Sequence, residues 1–404
     1  MRLAVIRQRY TPFGGAERFV EGALEALLER GVAISLYTRE WPETRLALIE
    51  PHIVDPFHVG RLWRDASFAR AVCKAIGGGK ADLVQSHERV ACCDVFRAGD
   101  GVHAVYLDER LAAASPLERV ALRASPYHRY LLDAERKLFA SPWLAAVICN
   151  SVMVRDEIRE RFGYPDEKLH VIRNAVDGAA FHPGLRADRA RVCAVHRIPA
   201  EATLFLLVGS GFARKGVATA IRALAELPPH AHLIVVGRDS HLQRYARLAR
   251  SLELSGRVHI VGPQTDPRPY FGAGDAFVLP TLYDPCPNAA LEAMACGLPV
   301  ITSTKSGVAE LVLAHDAGLV CGSRDVAAVA AHMRTLLDPA TRARLGENAR
   351  AAVAPLTPEA MTLELVLLYR ELLAASAARR RPAPSSSAPS VPAASAPPAD
   401  GTAP

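Results

Sequence analysis

Short apolar runs and longer amphipathic stretches alternate along most of this chain. LAVIRQ (3–8) has the pattern of a buried strand. A glycine-bearing loop, TPFGGAE, follows it and leads into a helical pattern that runs to about Arg30. ISLYT (34–38), ADLVQS (81–86), DVFRAG (94–99) and LAAVICNS (144–151) read as further strands. SVMVRDEIRERFG (151–163) has helical spacing, with Ser151 placed to cap its start and Gly163 to stop it. KLHVIRN (168–174) closes this series.

The rhythm then restarts. TLFLLVGS (203–210), HLIVVGR (232–238), RVHIVG (257–262), DAFVLPT (275–281) and LPVITS (298–303) are strand-like, and KGVATAIRALAEL (215–227) and HLQRYARLARSLEL (241–254) are helix-like. Strands alternating with helices imply βαβ units and parallel sheets. Two such series predict an α/β chain of two Rossmann-like domains, residues 1–182 and 183–355, joined near FHPG (181–184). A further helix is expected over 356–378, and the Pro/Ala/Ser-rich stretch 379–404 cannot bury a core and is expected to be disordered.

Composition supports this division. A chain of 404 residues with 50% hydrophobic residues can fill two cores. The net charge of +6 is spread out, with no block of like charge to form a nucleic-acid groove. None of the eight cysteines forms a Cys-x-x-Cys pair, so zinc and redox frameworks lack support. Several sit in apolar runs, where buried free thiols are ordinary, and this fits a reducing cytoplasm. The N-terminus has four consecutive apolar residues before Arg7, too few for a signal-peptide core. No apolar run approaches the ~18 residues of a membrane span, so a soluble or peripheral protein is expected.

Three motifs carry candidate chemistry. Gly14 and Gly15 lie between a strand and a helix, where glycine lets backbone N–H groups approach an anion; a plain strand-to-helix turn would look the same. VGSGFARKG (208–216) invites a dinucleotide-binding reading, but Arg214 occupies the place of the third glycine, and the P-loop pattern is absent. Arg214 and Lys215 are then expected in a helix's first turn, where the macrodipole disfavours cations unless a diphosphate is bound. In YDPCPNAALEAMACGLPVI (283–301), Pro285 and Pro287 start a helix near Asn288, which puts Glu292 about one turn in. Asp284 precedes Glu292 by eight positions. Two carboxylates in a loop at a strand's carboxyl end could grip vicinal sugar hydroxyls; the plainer role is turn and helix capping. The chain contains no Asp-x-Asp, so charge compensation would fall on Arg214, Lys215 and backbone amides, with no metal expected.

DPCPNAALEAMACGLPVI resembles the carboxylate signature of the retaining GT-B glycosyltransferases of family 4. GSGFARKG, VIRNAVDGAAFHPG and FGGAER fall in that family's order, and the resemblance covers roughly residues 1–375. Within the family, PFGG, ARKG and YHRYLLDAER are most similar to the lipopolysaccharide core glucosyltransferases that add the first core glucose. The resemblance implies two Rossmann-like domains facing across a cleft, with a C-terminal helix crossing back. It implies that Gly14 and Gly15 shape the cleft, that Lys215 with Arg214 holds the donor diphosphate, and that Glu292 binds the ribose hydroxyls. Asp284 would grip the transferred sugar, backbone amides near Asn288 and Ala289 would face the donor, and Asp100, with His103 next, would face the donor from the first domain. The chain departs from the family at Asp284, shorter than the usual Glu; at Pro287, which lacks an N–H; and at Ser210, where an Arg is common.

The implied activity is transfer of a hexose, glucose from UDP-glucose, to a heptose of a lipid-linked core oligosaccharide. Alternatives are a glycosyltransferase using another nucleotide-sugar for another envelope polysaccharide, a sugar-nucleotide epimerase, an NAD-dependent oxidoreductase that Arg214 argues against, and a non-catalytic scaffold. A lipid-linked acceptor is met at a bilayer, which places the protein in the cytoplasm or on the inner face of the cytoplasmic membrane. LRASPYHRYLLDAERKLFASPWL (122–144) has the residue mix of an interfacial helix, and equally of an ordinary surface helix.

Overall fold

The structure is a computed structural model and describes residues 1–9, 27–40, 49–78 and 81–376. Gly14, Gly15, the 379–404 tail and most of the helical pattern ending near Arg30 lie outside the described residues.

The apolar runs form two sheets in which every ladder is parallel. The first contains β1 (Arg2–Ile6), β2 (Ala33–Thr38), β3 (Glu50–Ile53), β4 (Leu83–Ser86), β5 (Val95–Arg97), β6 (Ala146–Cys149) and β7 (Leu169–Val171), in the order β3-β2-β1-β4-β5-β6-β7. The second contains β8 (Thr203–Val208), β9 (Ala231–Val236), β10 (Val258–Gly262), β11 (Ala276–Leu279), β12 (Val300–Ser303) and β13 (Gly318–Cys321), in the order β10-β9-β8-β11-β12-β13. Central strands such as β4, β6, β9 and β11 are buried along their whole length, as expected of strands covered by helices on both faces. The unpredicted strands, EPHI of β3 and GLVC of β13, are both edges. An edge strand pairs on one side only, so it tolerates Pro51 and a short, partly polar sequence.

In each sheet the strand order reverses beside the first strand, between β1 and β4 and between β8 and β11. Crevices outside the carboxyl ends of strands open at such points. The segments after β8 and β11 are the two motifs singled out above.

Helix Pro358–Ser376 leaves the second domain and packs on the first. Its Met361, Leu365, Val366, Leu368 and Tyr369 share a core with Leu3 and Val5 of β1 and Ile34 and Leu36 of β2. The Tyr369 hydroxyl donates to buried Gln85 of β4. Residues Pro339–Ala375 include an 18-residue window apolar enough to cross a membrane by composition, with mean hydropathy 1.4. This departs from the sequence expectation. Its Met361, Leu365, Val366, Leu368 and Tyr369 are occupied in the first domain's core, while Leu363 and Leu367 are exposed.

Two further expectations change. Cys73 and Cys92 form a disulfide, with Cα atoms 5.8 Å apart, so not all cysteines are free. Helix Gly60–Gly77 and the loop after β4 bring together positions that share no local motif. The other six thiols are free and buried. A reducing compartment would hold the pair as two adjacent thiols. Segment 122–144 spans the end of helix Pro116–Ala124, helix Pro126–Phe139 and the turn after it, and Leu122, Leu138 and Leu144 face the protein interior. Trp143 (47% exposed) is turned outward near its end, and the most exposed apolar side chains lie just before it, at Leu117 (85%) and Val120 (67%).

Tyr369→Phe should leave Gln85 with one buried hydrogen bond fewer and lower the unfolding free energy by about 1–3 kcal/mol. Tyr369→Ala adds a cavity and should cost about 3–5 kcal/mol. Urea denaturation followed by far-UV circular dichroism reads both.

Candidate active site

A cleft of about 880 Å³ separates the two sheets' carboxyl ends, lined on one wall by segments of the first domain and on the other by loops of the second. On the second-domain wall, β8 runs into a single helical turn, Phe212–Lys215, and then helix Val217–Ala225. The expected continuous helix is broken at Gly216, whose φ is 74° and whose missing Cβ would stand 2.0 Å from the Pro280 carbonyl oxygen. Only glycine fits there. Arg214 and Lys215 therefore end a short turn instead of starting a long helix, which corrects the macrodipole argument made from the sequence. The turn is pinned by the Arg214 carbonyl, which accepts from the Leu282 N–H (2.7 Å) and the Thr281 hydroxyl (2.9 Å).

Those bonds set the strand-to-helix turn against the loop after β11. Asp284 is buried there and accepts from Lys215 Nζ and, at 3.1 Å, from Arg214 Nη1. It does not cap the turn. Burial favours its neutral form, but the two cations outweigh burial and hold the carboxyl below its ordinary value. Burial lowers the Lys215 ammonium, and Asp284 offsets part of that. The Asp284 backbone is tied to a neighbouring loop: its N–H donates to Lys305 O at 2.9 Å, and its carbonyl accepts from Gly307 N–H at 2.8 Å. Helix Asn288–Ala295 begins where the prolines predict, with Pro287 at its N-cap and no side-chain cap. Glu292 is buried in its second turn and lines the cleft with Asn288 and Ala289.

The opposite wall is built after β5. Gly99, exposed Asp100 and Gly101 turn the chain into helix His103–Ala113. Buried Glu135 receives the His103 and Ala104 backbone N–H groups at that helix's N-terminus and also pairs with Arg89 (2.9 Å). The His103 ring is largely buried and lies 3.0 Å, Nε2 to Nδ1, from His128. Burial, with Arg89 adding, pushes the His103 imidazolium down to about 3, and burial with Arg110 and Arg61 lowers His128. Both rings are neutral near pH 7. Asp100 and His103 thus face the same cleft as Arg214, Lys215, Asp284, Asn288, Ala289 and Glu292. Gly14 and Gly15 lie outside the described residues.

Two further residues join the walls, and the sequence reading did not single them out. Tyr283 reaches across from the second domain, accepts from the Val102 N–H at 2.8 Å and donates to Glu157 Oε2 at 2.7 Å. Gly101 leaves room for it, since a Cβ would sit 2.3 Å from the Tyr283 hydroxyl. Asn174 accepts from buried Arg97 (3.0 Å) and donates to the Asn288 side chain (2.7 Å). Its signal was its place in VIRNAVDGAAFHPG, where a strand feeds the second domain.

The chain's similarities follow the two walls. Residues 13–179 match the family model described as Glycosyltransferase Family 4, and residues 188–352 match that described as Glycosyl transferases group 1. A probable transglycosylase of Burkholderia thailandensis is 26% identical over 91% of this chain and 95% of its own. The lipopolysaccharide core biosynthesis glycosyltransferase LpsE of Rhizobium meliloti is 27% identical over 86% and 94%. Among solved structures, WaaG, a glycosyltransferase involved in lipopolysaccharide biosynthesis, superposes with a TM-score of 0.78 at 22% identity, covering 91% of this chain and 99% of that one. With both models matched in domain order on two facing parallel sheets of the GT-B fold, this chain is a glycosyltransferase of group 1.

Proposed function

We propose that this glycosyltransferase moves a hexose, glucose from UDP-glucose, with retention of configuration, onto a heptose of a lipopolysaccharide core oligosaccharide. The observation that supports the reading most is the cluster of buried Lys215 and Asp284 with half-buried Arg214 at the cleft, and Glu292 four residues beyond Asn288 in the adjoining helix. The relationship to a lipopolysaccharide core transferase supports the acceptor class.

In this reading the donor diphosphate lies against Arg214 and Lys215. Negative charge develops on the leaving diphosphate as the anomeric bond breaks. Cations already fixed by Asp284 need little reorganisation to stabilise it, and a half-closed cleft strengthens that attraction. The side chains supply the charge compensation, so the reading calls for no metal. Glu292 holds ribose hydroxyls and Asp284 the transferred sugar, while Asp100 faces the reacting centre from the other wall. The leaving phosphate takes the acceptor proton, with attack on the same face. His103, neutral at pH 7, serves as a hydrogen-bonding group and not as a charge.

The acceptor would be met at the inner face of the cytoplasmic membrane. Leu117 and Val120, with exposed Arg119 and Arg123 on the same helix, would make the contact in place of the largely inward-facing apolar residues of 122–144. Flotation with anionic liposomes should carry the protein upward, and Leu117→Ser with Val120→Ser should abolish that.

Lys215→Ala should lower kcat by about 10²–10³-fold while far-UV circular dichroism stays unchanged. Near-normal turnover would remove the diphosphate role. Glu292→Ala should weaken UDP binding by roughly tenfold in a calorimetric titration. A screen of common nucleotide-sugars for acceptor-dependent nucleotide release tests the donor, and formation of an epimer without acceptor would favour the epimerase instead.

A further inference from the structure

The first-domain wall of the cleft carries positive charge that its own neighbours do not neutralise. Arg61 and Arg110 both line the cleft, and each rests on a tyrosine: the Arg61 guanidinium carbon lies 4.9 Å from the Tyr127 ring centroid, and that of Arg110 lies 6.0 Å from the Tyr106 centroid. Among the described residues, neither guanidinium has a carboxylate partner, although carboxylates stand close by in sequence.

Those carboxylates are engaged elsewhere. Asp65, one turn beyond Arg61, accepts from Arg64 (2.7 Å) and from the Tyr127 hydroxyl (2.9 Å). Asp108 and Glu109, immediately before Arg110, pair with Arg161 (3.0 Å) and Lys305 (3.4 Å). Glu135 is committed to Arg89 and two backbone N–H groups. Asp100 is the one carboxylate among the described residues on this wall of the cleft. The His103–His128 pair between the arginines adds polar nitrogens but, being neutral, no further charge.

This differs from the donor wall, where Asp284 bonds both cations and compensates one of their two charges. Guanidinium groups held by aromatic faces are pre-organised, and their free N–H forks match a phosphate or carboxylate. The place is also right for an acceptor. Tyr106, beneath Arg110, has its ring centroid 6.3 Å from that of Tyr283, the residue before Asp284. The arginine-bearing wall therefore packs directly against the loop that carries Asp284.

We infer that Arg61 and Arg110, backed by Tyr127 and Tyr106, form an oxyanion subsite for an acceptor saccharide that carries a phosphate or carboxylate group. The inference rests on the glycosyltransferase reading, and the charged group need not be on the sugar that receives the hexose.

The test is calorimetric titration of the full-length protein with glucose 6-phosphate, glucuronic acid and glucose, each with and without saturating UDP, alongside a titration with UDP alone. At least one anionic sugar should bind about tenfold or more tightly than glucose, the factor expected of one charge-assisted hydrogen bond. Preference for glucose 6-phosphate identifies phosphate, and preference for glucuronic acid identifies carboxylate. Arg61→Gln and Arg110→Gln should each shrink the gap to glucose, and Arg110→Lys should restore part of it. Equal binding of all three sugars by the wild-type protein overturns the subsite, as does a gap that survives both glutamine variants. Absence of UDP binding overturns the UDP-sugar donor reading instead, and the titrations without UDP still decide the subsite. The wild-type comparison stands even if a variant fails to fold.

Discussion

The site depends on one buried carboxylate between two cations. Burial alone pushes the Asp284 carboxyl up and the Lys215 ammonium down, and the contact between them opposes both shifts. Each keeps the other ionised. The pairing also fixes two loops from different strands, because Lys215 and Arg214 follow β8 and Asp284 follows β11. Breaking such a buried pair by removing one partner leaves an uncompensated charge, which commonly costs about 3–5 kcal/mol. The geometry of the donor wall and the ionisation of its residues are therefore one property.

From that cluster the constraint passes to the other domain. The Asp284 backbone is bonded to Lys305 and Gly307, and the Lys305 ammonium reaches Glu109 and Glu157 of the first domain (3.4 and 3.7 Å). Tyr283, one residue earlier, bonds Val102 and Glu157. Glu310, also from the second domain, accepts from the Val152 N–H at 2.9 Å at the start of helix Val152–Phe162, and Arg173 pairs with it. A carboxylate from one domain thus sits at the positive end of a helix in the other. The loop that carries the candidate sugar-binding carboxylate is also the loop that joins the walls.

The two parallel sheets were legible because their strands are short apolar runs separated by amphipathic helices. The helix from Asn288 was legible because Pro285 and Pro287 exclude an earlier start. The edge strands β3 and β13 were not, since an edge needs no apolar face on both sides. The placement of Arg214 and Lys215 was misread because Gly216 looks tolerable within a helix until the Pro280 carbonyl is seen 2.0 Å from its missing Cβ. The Cys73–Cys92 pair and the Tyr283, Asn174, Arg61 and Arg110 contacts depend on tertiary proximity. Local spacing carries no signal for them. Lone tyrosines and arginines are ordinary surface residues until two of each are found stacked in one cleft.

The seam between the domains is strong at a few points and poor elsewhere. Among the described residues, four buried polar side-chain atoms have no hydrogen-bond partner, Asn150 Oδ1, Glu157 Oε1, Arg173 Nε and Ser306 Oγ, although Glu157 Oε1 keeps the Lys305 ammonium at 3.7 Å. Glu157 and Arg173 meet the second domain through Lys305 and Glu310, and Ser306 adjoins Lys305 on the loop that reaches across. An unsatisfied buried polar atom costs about 1–3 kcal/mol, so these atoms oppose the close approach that Tyr283 and Glu310 favour. Burial also raises the Glu157 carboxyl above its ordinary value, a sign that the same contact is ionised at some expense. Separating the domains would hydrate these groups while leaving the Asp284 cluster intact, because Lys215, Arg214 and Asp284 all belong to the second domain. The ion pairs of the donor wall therefore lie wholly within the second domain, and the seam reaches them only through the loop that carries Tyr283, Asp284 and the bonded Lys305. The wall can stay organised whether the cleft is narrow or wide, and the residues that would meet the acceptor are the ones that would move.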